Sequence, residues 1–363
     1  MRRSSSSGVS CLICTYNGAS RLAETLTCLA RQVLPAGTPW EVILVDNAST
    51  DATVERARQL WHELGSPGPL HLLHEQRPGK QYALETAIAQ VQYAYTCIVD
   101  DDNRLAPDYL RIGLELLTTH PRIGILGGPN TATFEGAEPA WFSAFQHCYA
   151  VGPQLNRIGG SFAPLADGCI GQNVLWGAGM FVQTAIWDSL REIGFQSMFS
   201  GRQGEANLTA GEDDELCYAA QLLGYEVWYS SRLHLQHHMT AARLTETYRN
   251  RLFYASAYST ARLDAYRNAL WGKPNGTIST NLLKDISYKA LDLAKAVFSW
   301  KFAKSFFTND TLMQMNRLHV ATVIKASILH YGQVKAYYQQ ALKVKQQARA
   351  ASSRIQSATS CIN

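Results

Sequence analysis

Residues 97–110 read CIVDDDNRLAPDYL, an apolar run that ends in Asp100, Asp101 and Asp102. Three adjacent carboxylates repel one another, and burying them without compensation is costly. A hard divalent cation resolves the conflict, because Mg2+ or Mn2+ takes one or two protein carboxylates and completes its shell with water and phosphate oxygens. Alternation along a strand would send Asp100 and Asp102 to one side and Asp101 to the other, making the first and third the natural pair. The structural alternative is a helix N-terminus, since DDNRLAP precedes a helix starting near Pro107 and acidic residues suit that end. That alternative accommodates one aspartate more easily than three. A second acidic group, Glu212, Asp213 and Asp214, heads the stretch GEDDELCYAAQLLGYEV. Leu216, Ala219, Ala220 and Leu223 keep helical spacing there, Gly224 is a C-terminal stop, and a negatively charged first turn is favourable in itself.

The elements that must deliver these groups alternate through the first half of the chain. Apolar runs at 9–14, 40–46, 70–75, 96–102 and 123–128 are separated by amphipathic stretches at 19–32, 51–63, 80–92 and 107–118. This βαβα rhythm predicts a doubly wound, mostly parallel sheet flanked by helices. Ligands of such sheets bind at the carboxyl ends of the strands. Those ends carry Thr15, Tyr16 and Asn17, then Asp46, Asn47 and Ser49, then Arg77 and Lys80, then the three aspartates. Neither GxGxxG nor GxxxxGK[ST] occurs, so neither a dinucleotide fingerprint nor a P-loop is present. Residues 129–210 are less periodic, with WGAGMFV at 176–182 as the expected further strand, and residues 243–350 read as helices. The expected organisation is a flexible tail over 1–8, a catalytic domain over 9–240 divided at 128, and a helical extension over 241–363.

Charge and cysteine content narrow the class. The 363 residues include 33 basic and 29 acidic side chains, a net charge of only +4, which argues against a nucleic-acid groove. The eight cysteines include a CLIC pair at 11–14, but with no second CxxC and no neighbouring His they read as buried structural thiols. Scattered single cysteines fit a reducing compartment. MRRSSSS followed by GVSCLICTYNG lacks a signal-type apolar block, and even ALDLAKAVFSWKFAKSFF carries Asp292, Lys295, Lys301 and Lys304, too much charge for a membrane span. A cytoplasmic protein is expected.

CLICTYNGASRLAETLTCLARQ, EVILVDNASTDAT, RPGKQYALETAI, CIVDDDNRLAPDYL and GEDDELCYAAQLLGYEV together resemble the successive motifs of inverting family-2 glycosyltransferases with the GT-A fold, over about residues 8–240. The resemblance implies a nucleotide-diphosphate sugar as donor, UDP-sugar first, and a hydroxyl of a glycan or lipid-linked acceptor in polysaccharide or glycoconjugate synthesis. It implies that Thr15, Tyr16 and Asn17 line the nucleotide, that Asp46 accepts from the base, and that Asn47 and Ser49 lie at the ribose. Lys80 and Arg77 fall near the diphosphate. Asp100 and Asp102 match the DxD pair, with Asp102 on Mn2+ or Mg2+ and Asp100, beside Asp101, nearer the ribose or sugar. Asp213, in the Glu212-Asp213 pair, matches the general base, a role that fits a reaction needing a base on the acceptor face and a cation on the leaving-group face. His237 is the expected additional metal ligand, ahead of His238 and His234. Gly177, Ala178, Gly179 and Asp214 fall where the acceptor pocket is bordered, and Glu85 departs from the family's usual asparagine.

A nucleotidyltransferase also uses such a sheet but needs a glycine-rich phosphate loop, which CTYNGAS is not. A non-catalytic nucleotide-sugar scaffold would have little use for Asp100, Asp102 and Asp213. Trp300, Phe302, Phe306 and Phe307 with nearby lysines suggest a peripheral membrane contact, against the plainer expectation of helices packing on the core or on a second copy.

Overall fold

The computed structural model describes residues 7–158, 162–199, 210–272 and 331–360, with scattered helical positions between 287 and 329. The aromatic-basic segment at 300–307, the turn at 274–276 and the extreme N-terminal tail lie outside the described residues. The chain divides into two compact units: 1–192 with 200–208 and 225–244, and 193–199 with 209–224 and 245–363.

The first unit is built on an eight-stranded sheet. Strands β1 (Val9–Thr15), β2 (Trp40–Asp46), β3 (Leu70–His74) and β4 (Tyr95–Ile98) alternate with helices α1 (Leu22–Ala30), α2 (Thr53–Glu63) and α3 (Lys80–Gln90). After β5 (Asn103–Leu105) come α4 (Tyr109–Thr119), β6 (Ile123–Gly127), β7 (Asn130–Phe134), the short α5 (Phe142–Phe145), β8 (Gly168–Cys169), β9 (Phe181–Gln183) and α6 (Thr184–Ile193). Strands β10 (Glu226–Tyr229) and β11 (Leu235–Met239) complete the unit. The sheet order is β3-β2-β1-β4-β9-β6-β10-β8. β3, β2, β1 and β4 are mutually parallel, as are β6 and β10, whereas β9 runs antiparallel to both β4 and β6 and β8 antiparallel to β10. A second sheet has the order β5-β11-β7.

Alternation puts the two faces of the central strands to different uses. Val9, Cys11 and Ile13 of β1 with Val42 and Leu44 of β2 pack against Leu22, Leu26 and Leu29 of α1 and Trp61 of α2. Leu12, Ile43 and Val45 face the other way, onto Ala83 and Ala87 of α3. Cys11 is fully buried and Cys14 half-buried, and burial pushes both thiols up, the behaviour of packed thiols.

The expected strand at 176–182 forms only at its end, where β9 begins at Phe181. Residues 177–180 make a turn instead, with Gly179 at φ +70. A Cβ on Gly179 would lie 2.4 Å from the Tyr109 hydroxyl oxygen, and that hydroxyl donates to the Gly179 carbonyl at 2.8 Å. Gly179→Ala is expected to destabilise by about 1–3 kcal/mol from backbone strain alone, read as a lower urea midpoint; an unchanged midpoint would contradict this packing account.

The second unit centres on α7 (Glu212–Leu222), α8 (Glu246–Trp271) and α9 (Tyr331–Ser360). Thr245 caps α8 by accepting from the Tyr248 amide at 3.2 Å. Gly224 ends the α7 turn with φ +92, the left-handed stop its sequence suggested. Glu215, 2 % exposed, ties the unit together. Its carboxyl accepts from the Met198 amide at 2.8 Å, from the Tyr266 hydroxyl at 2.7 Å and from the Ser197 hydroxyl.

Burial is the largest influence on Glu215 and pushes its pKa up from 4.5 to about 7. The folded protein therefore holds this proton more tightly than the unfolded chain. The associated stability is fully present below 4.5 and is lost as pH rises through about 7. Thermal melts of wild type and Glu215→Gln at pH 5 and pH 8 should show the wild type losing stability across that window and the variant losing less. Equal pH dependence in the two proteins would contradict the assignment.

Candidate active site

The site in the first unit starts from where β4 stops. Hydrogen bonding as a strand ends at Ile98, so Asp100 to Asp102 are presented by a turn and strand alternation does not set their directions. Asn103 fastens that turn: its side-chain oxygen accepts from the Asp100 amide and its amide donates to the Asp102 carboxylate, both at 3.1 Å. Its backbone amide also donates to the Asp100 carbonyl at 3.0 Å.

Each carboxylate meets a cation from a different element. Lys80, the first residue of α3, lies 2.5 Å from Asp100. Arg21, just before α1, lies 2.7 Å from Asp101. Arg243, in the 3-10 turn Ala241–Leu244, lies 2.5 Å from Asp102. The conflict that pointed to a divalent ion is thus met in this structure by three basic side chains. Burial acts most strongly on Asp100 and would raise its pKa, but the charge and hydrogen bond of Lys80 together with His237 turn the net direction down. Asp101 is pushed up, by burial first and then by Asp102, despite Arg21 and the Thr15 hydroxyl.

Asp101, expected among the donor-binding residues, has its carboxylate turned toward β1 and α1. It accepts from the Thr15 hydroxyl at 2.6 Å as well as from Arg21, and its carbonyl accepts from Thr25 at 3.0 Å. Asp102 looks the other way. His238 donates its backbone amide to the Asp102 carbonyl at 2.9 Å, and His237 pairs with Asn103 in register. This pairing brings the His237 Nε2 to 3.4 Å from Asp102. Of the three candidate histidines only His237 is buried; His234 is exposed and His238 contacts the Thr133 hydroxyl at 3.1 Å.

Among the described residues no three His, Cys, Asp or Glu side chains gather closely enough to hold a metal ion by themselves. Asp102 and His237 nevertheless fit a divalent ion that draws its remaining ligands from water and a diphosphate. The His237 Nδ1 finds no hydrogen-bond partner among the described residues, and its other nitrogen faces the carboxylate.

The ends of β1 and β2 supply the rest. Asp46 is buried, and its carboxylate accepts from the Ser49 amide at 3.2 Å and contacts the His74 Nδ1 at 2.9 Å. The Asn17 amide donates to the Ser49 hydroxyl at 2.9 Å, and the Asn17 side chain accepts from the Thr50 amide at 2.8 Å, so the β1 and β2 end loops are stitched together. Tyr16 is 49 % exposed, leaving its ring available to a ligand. Asn47 shapes the next loop: its side-chain oxygen accepts from the Gly79 amide at 2.8 Å, and its amide donates to the carbonyls of Glu75 and Arg77 at 3.1 and 2.7 Å. That loop aims α3, and hence Lys80, at the aspartates. Arg77 pairs with Glu75 at 2.8 Å and lies over the Tyr82 ring. Its hydrogen bonds hold the Glu75 carboxyl well below the usual carboxylate range. Glu85 stands 3.9 Å from Arg77.

Glu212, Asp213 and Asp214 form the first turn of α7 in the second unit, entered through Gly211 at φ +109. Gly177, Ala178 and Gly179 are buried. Sequence reasoning missed Arg21, His74, Glu75, Asn103 and Arg243. Arg21 sits within the first quoted motif, and Arg243 follows His237 by six residues; both partner choices depend on the fold and carry no spacing signal.

The family model "Glycosyl transferase family 2" matches residues 10–170, and "Glycosyl transferase family group 2" matches 95–260. No curated protein matches in sequence. Among solved structures the chain resembles the mannosyltransferase PcManGT from Pyrobaculum calidifontis in complex with GDP-Man and Mn2+, at 17% identity and TM-score 0.55, over 89% of this chain and 86% of that one. It also resembles residues 1–349 of S. aureus TarS in complex with UDP-GlcNAc, at 17% identity and TM-score 0.50, over 95% of this chain and 92% of that one. At this identity the likeness establishes a shared fold. No helix among the described residues is long and apolar enough to cross a membrane.

Proposed function

The chain is a family-2 glycosyltransferase of GT-A fold, and from that premise we propose that it transfers a hexosyl group from a UDP-sugar, with inversion, to a hydroxyl of a glycan or lipid-linked acceptor. The observation that carries this reading is the convergence of Thr15, Asp46 and the Asp100–Asp102 turn at the carboxyl ends of β1, β2 and β4. In this reading Asp46 accepts from a base N–H, a role supported by its buried carboxylate held by Ser49 and His74. Uracil offers such a ring N–H.

Lys80 is the cation for the diphosphate and exchanges its bond to Asp100 for one to phosphate oxygens. Asp102 and His237 are the residues that would hold Mn2+ or Mg2+, with Asp100 beside them toward the sugar. When bound, the ion would offset the charge that builds on the leaving diphosphate. Asp213 takes the proton from the acceptor hydroxyl, with Glu212 beside it in the catalytic pair and Asp214 as an acceptor-binding residue. PcManGT with GDP-Man and TarS with UDP-GlcNAc support a nucleotide-sugar donor for a chain of this fold.

The test is to incubate the full chain with a panel of UDP-, dTDP- and GDP-sugars and Mn2+, reading nucleoside diphosphate release and the anomeric configuration of product by NMR. Turnover of a UDP-sugar with inversion is expected. Turnover of GDP-sugars alone would overturn the base assignment, and a product of retained configuration would overturn the single-displacement mechanism.

A further inference from the structure

We propose that Arg243 is the resident cation of the metal corner, so that a divalent ion enters it only together with the donor diphosphate and at the expense of the Arg243–Asp102 pair. The inference rests on the glycosyltransferase reading and concerns how that site is loaded. Three carboxylates, Asp100, Asp101 and Asp102, meet three cations, Lys80, Arg21 and Arg243, at 2.5, 2.7 and 2.5 Å. Among the described residues each carboxylate is paired with a different cation. A divalent ion added to this cluster alone would place two further positive charges on a set of carboxylates already compensated, at separations where Coulomb terms are large.

The Arg243 guanidinium contacts both of the residues that fit a metal. Its Nη1 lies 2.5 Å from the Asp102 Oδ2 and 3.3 Å from the His237 Nε2, so the guanidinium stands between the two residues that fit a metal. All three side chains are shielded, with 13 % exposure for Arg243, 11 % for Asp102 and 6 % for His237, which limits screening by solvent. Arg243 is also anchored at its backbone, where its carbonyl accepts from the Tyr149 hydroxyl at 3.2 Å and its amide donates to the Thr240 carbonyl at 3.0 Å. Displacing the guanidinium would leave these backbone bonds in place.

A nucleoside diphosphate changes the balance because its phosphates bring the negative charge that a divalent ion requires, and a bidentate acceptor for the displaced guanidinium. Metal and diphosphate then bind cooperatively, each raising the affinity of the other by the same factor.

The experiment follows Mn2+ binding to the full chain by the electron paramagnetic resonance signal of the free ion. With MnCl2 alone, Arg243→Met is expected to bind at least about tenfold more tightly than wild type, a factor equal to about 1.4 kcal/mol. Arg243→Lys, which keeps the charge, should resemble wild type, and Arg243→Met combined with Asp102→Asn should lose the gain. Equal Mn2+ affinity in wild type and Arg243→Met would overturn the inference. So would wild type binding Mn2+ alone as tightly as it does with UDP or GDP, a result that needs no variant to fold. If neither diphosphate binds under any condition, the donor reading itself fails; if one binds while the Arg243 variants leave Mn2+ affinity unchanged, only the Arg243 inference fails.

Discussion

Asp213→Asn is expected to retain nucleoside diphosphate binding while losing about 10²- to 10⁴-fold in sugar transfer, the range a positioned general base contributes. Asparagine keeps the size of the side chain and its capacity to hydrogen-bond, but it cannot take a proton from the acceptor hydroxyl. The helix should survive the change. Glu212 and Asp214 still supply negative charge to the first turn of α7, and the buried fastening of that helix runs through Glu215 to Met198 and Tyr266. Transfer rates measured beside a binding titration separate the two effects. A variant with full transfer activity would remove Asp213 from the mechanism.

Asp102→Asn should fail differently. Here the loss falls on diphosphate binding as well as on transfer, because the residue that would hold a divalent ion with His237 is also the anchor of Arg243. Transfer should drop on the order of 100-fold or more, as when one charge-stabilising group is removed from a reacting centre, and added Mn2+ should no longer improve binding of UDP. Asp101→Asn is the informative contrast. Its carboxylate serves Thr15 and Arg21, so its substitution should lower the melting temperature more than it lowers the Mn2+ dependence. Identical behaviour of the two variants would mean that the three aspartates act as one undivided charge cluster.

Much of this architecture is legible in the sequence because it depends on local pattern. The apolar run at 40–46 coincides with β2, and the aspartates do follow β4 at the edge where ligands bind parallel sheets. The stretch WGAGMFV misleads, because its small residues serve a tight turn against Tyr109 and only its last residues pair as β9. The aspartates diverge as alternation suggests, Asp101 toward Thr15 and Arg21 and Asp102 toward His237 and Arg243, although the strand has ended before them and Asn103 sets the turn.

The cations are the largest omission. Lys80 is readable beside its glycine, but Arg21 and Arg243 reach the aspartates from 80 and 141 residues away in the chain, and only the folded sheet order makes them neighbours. A cluster of like charges invites the inference of a metal; the fold adds that basic side chains compensate it first. His237 was separable from His234 and His238 by strand phase, because β11 turns alternate residues inward.

The most direct test of donor binding at the β1, β2 and β4 ends is calorimetric titration of UDP and GDP into the full chain, with Mn2+ and then with EDTA, in wild type and Asp46→Ala. UDP is expected to bind, EDTA to weaken its binding, and Asp46→Ala to weaken it further through loss of the acceptor for the base N–H. Absence of heat for either diphosphate with Mn2+ present, in a protein that melts cooperatively, would contradict donor binding there.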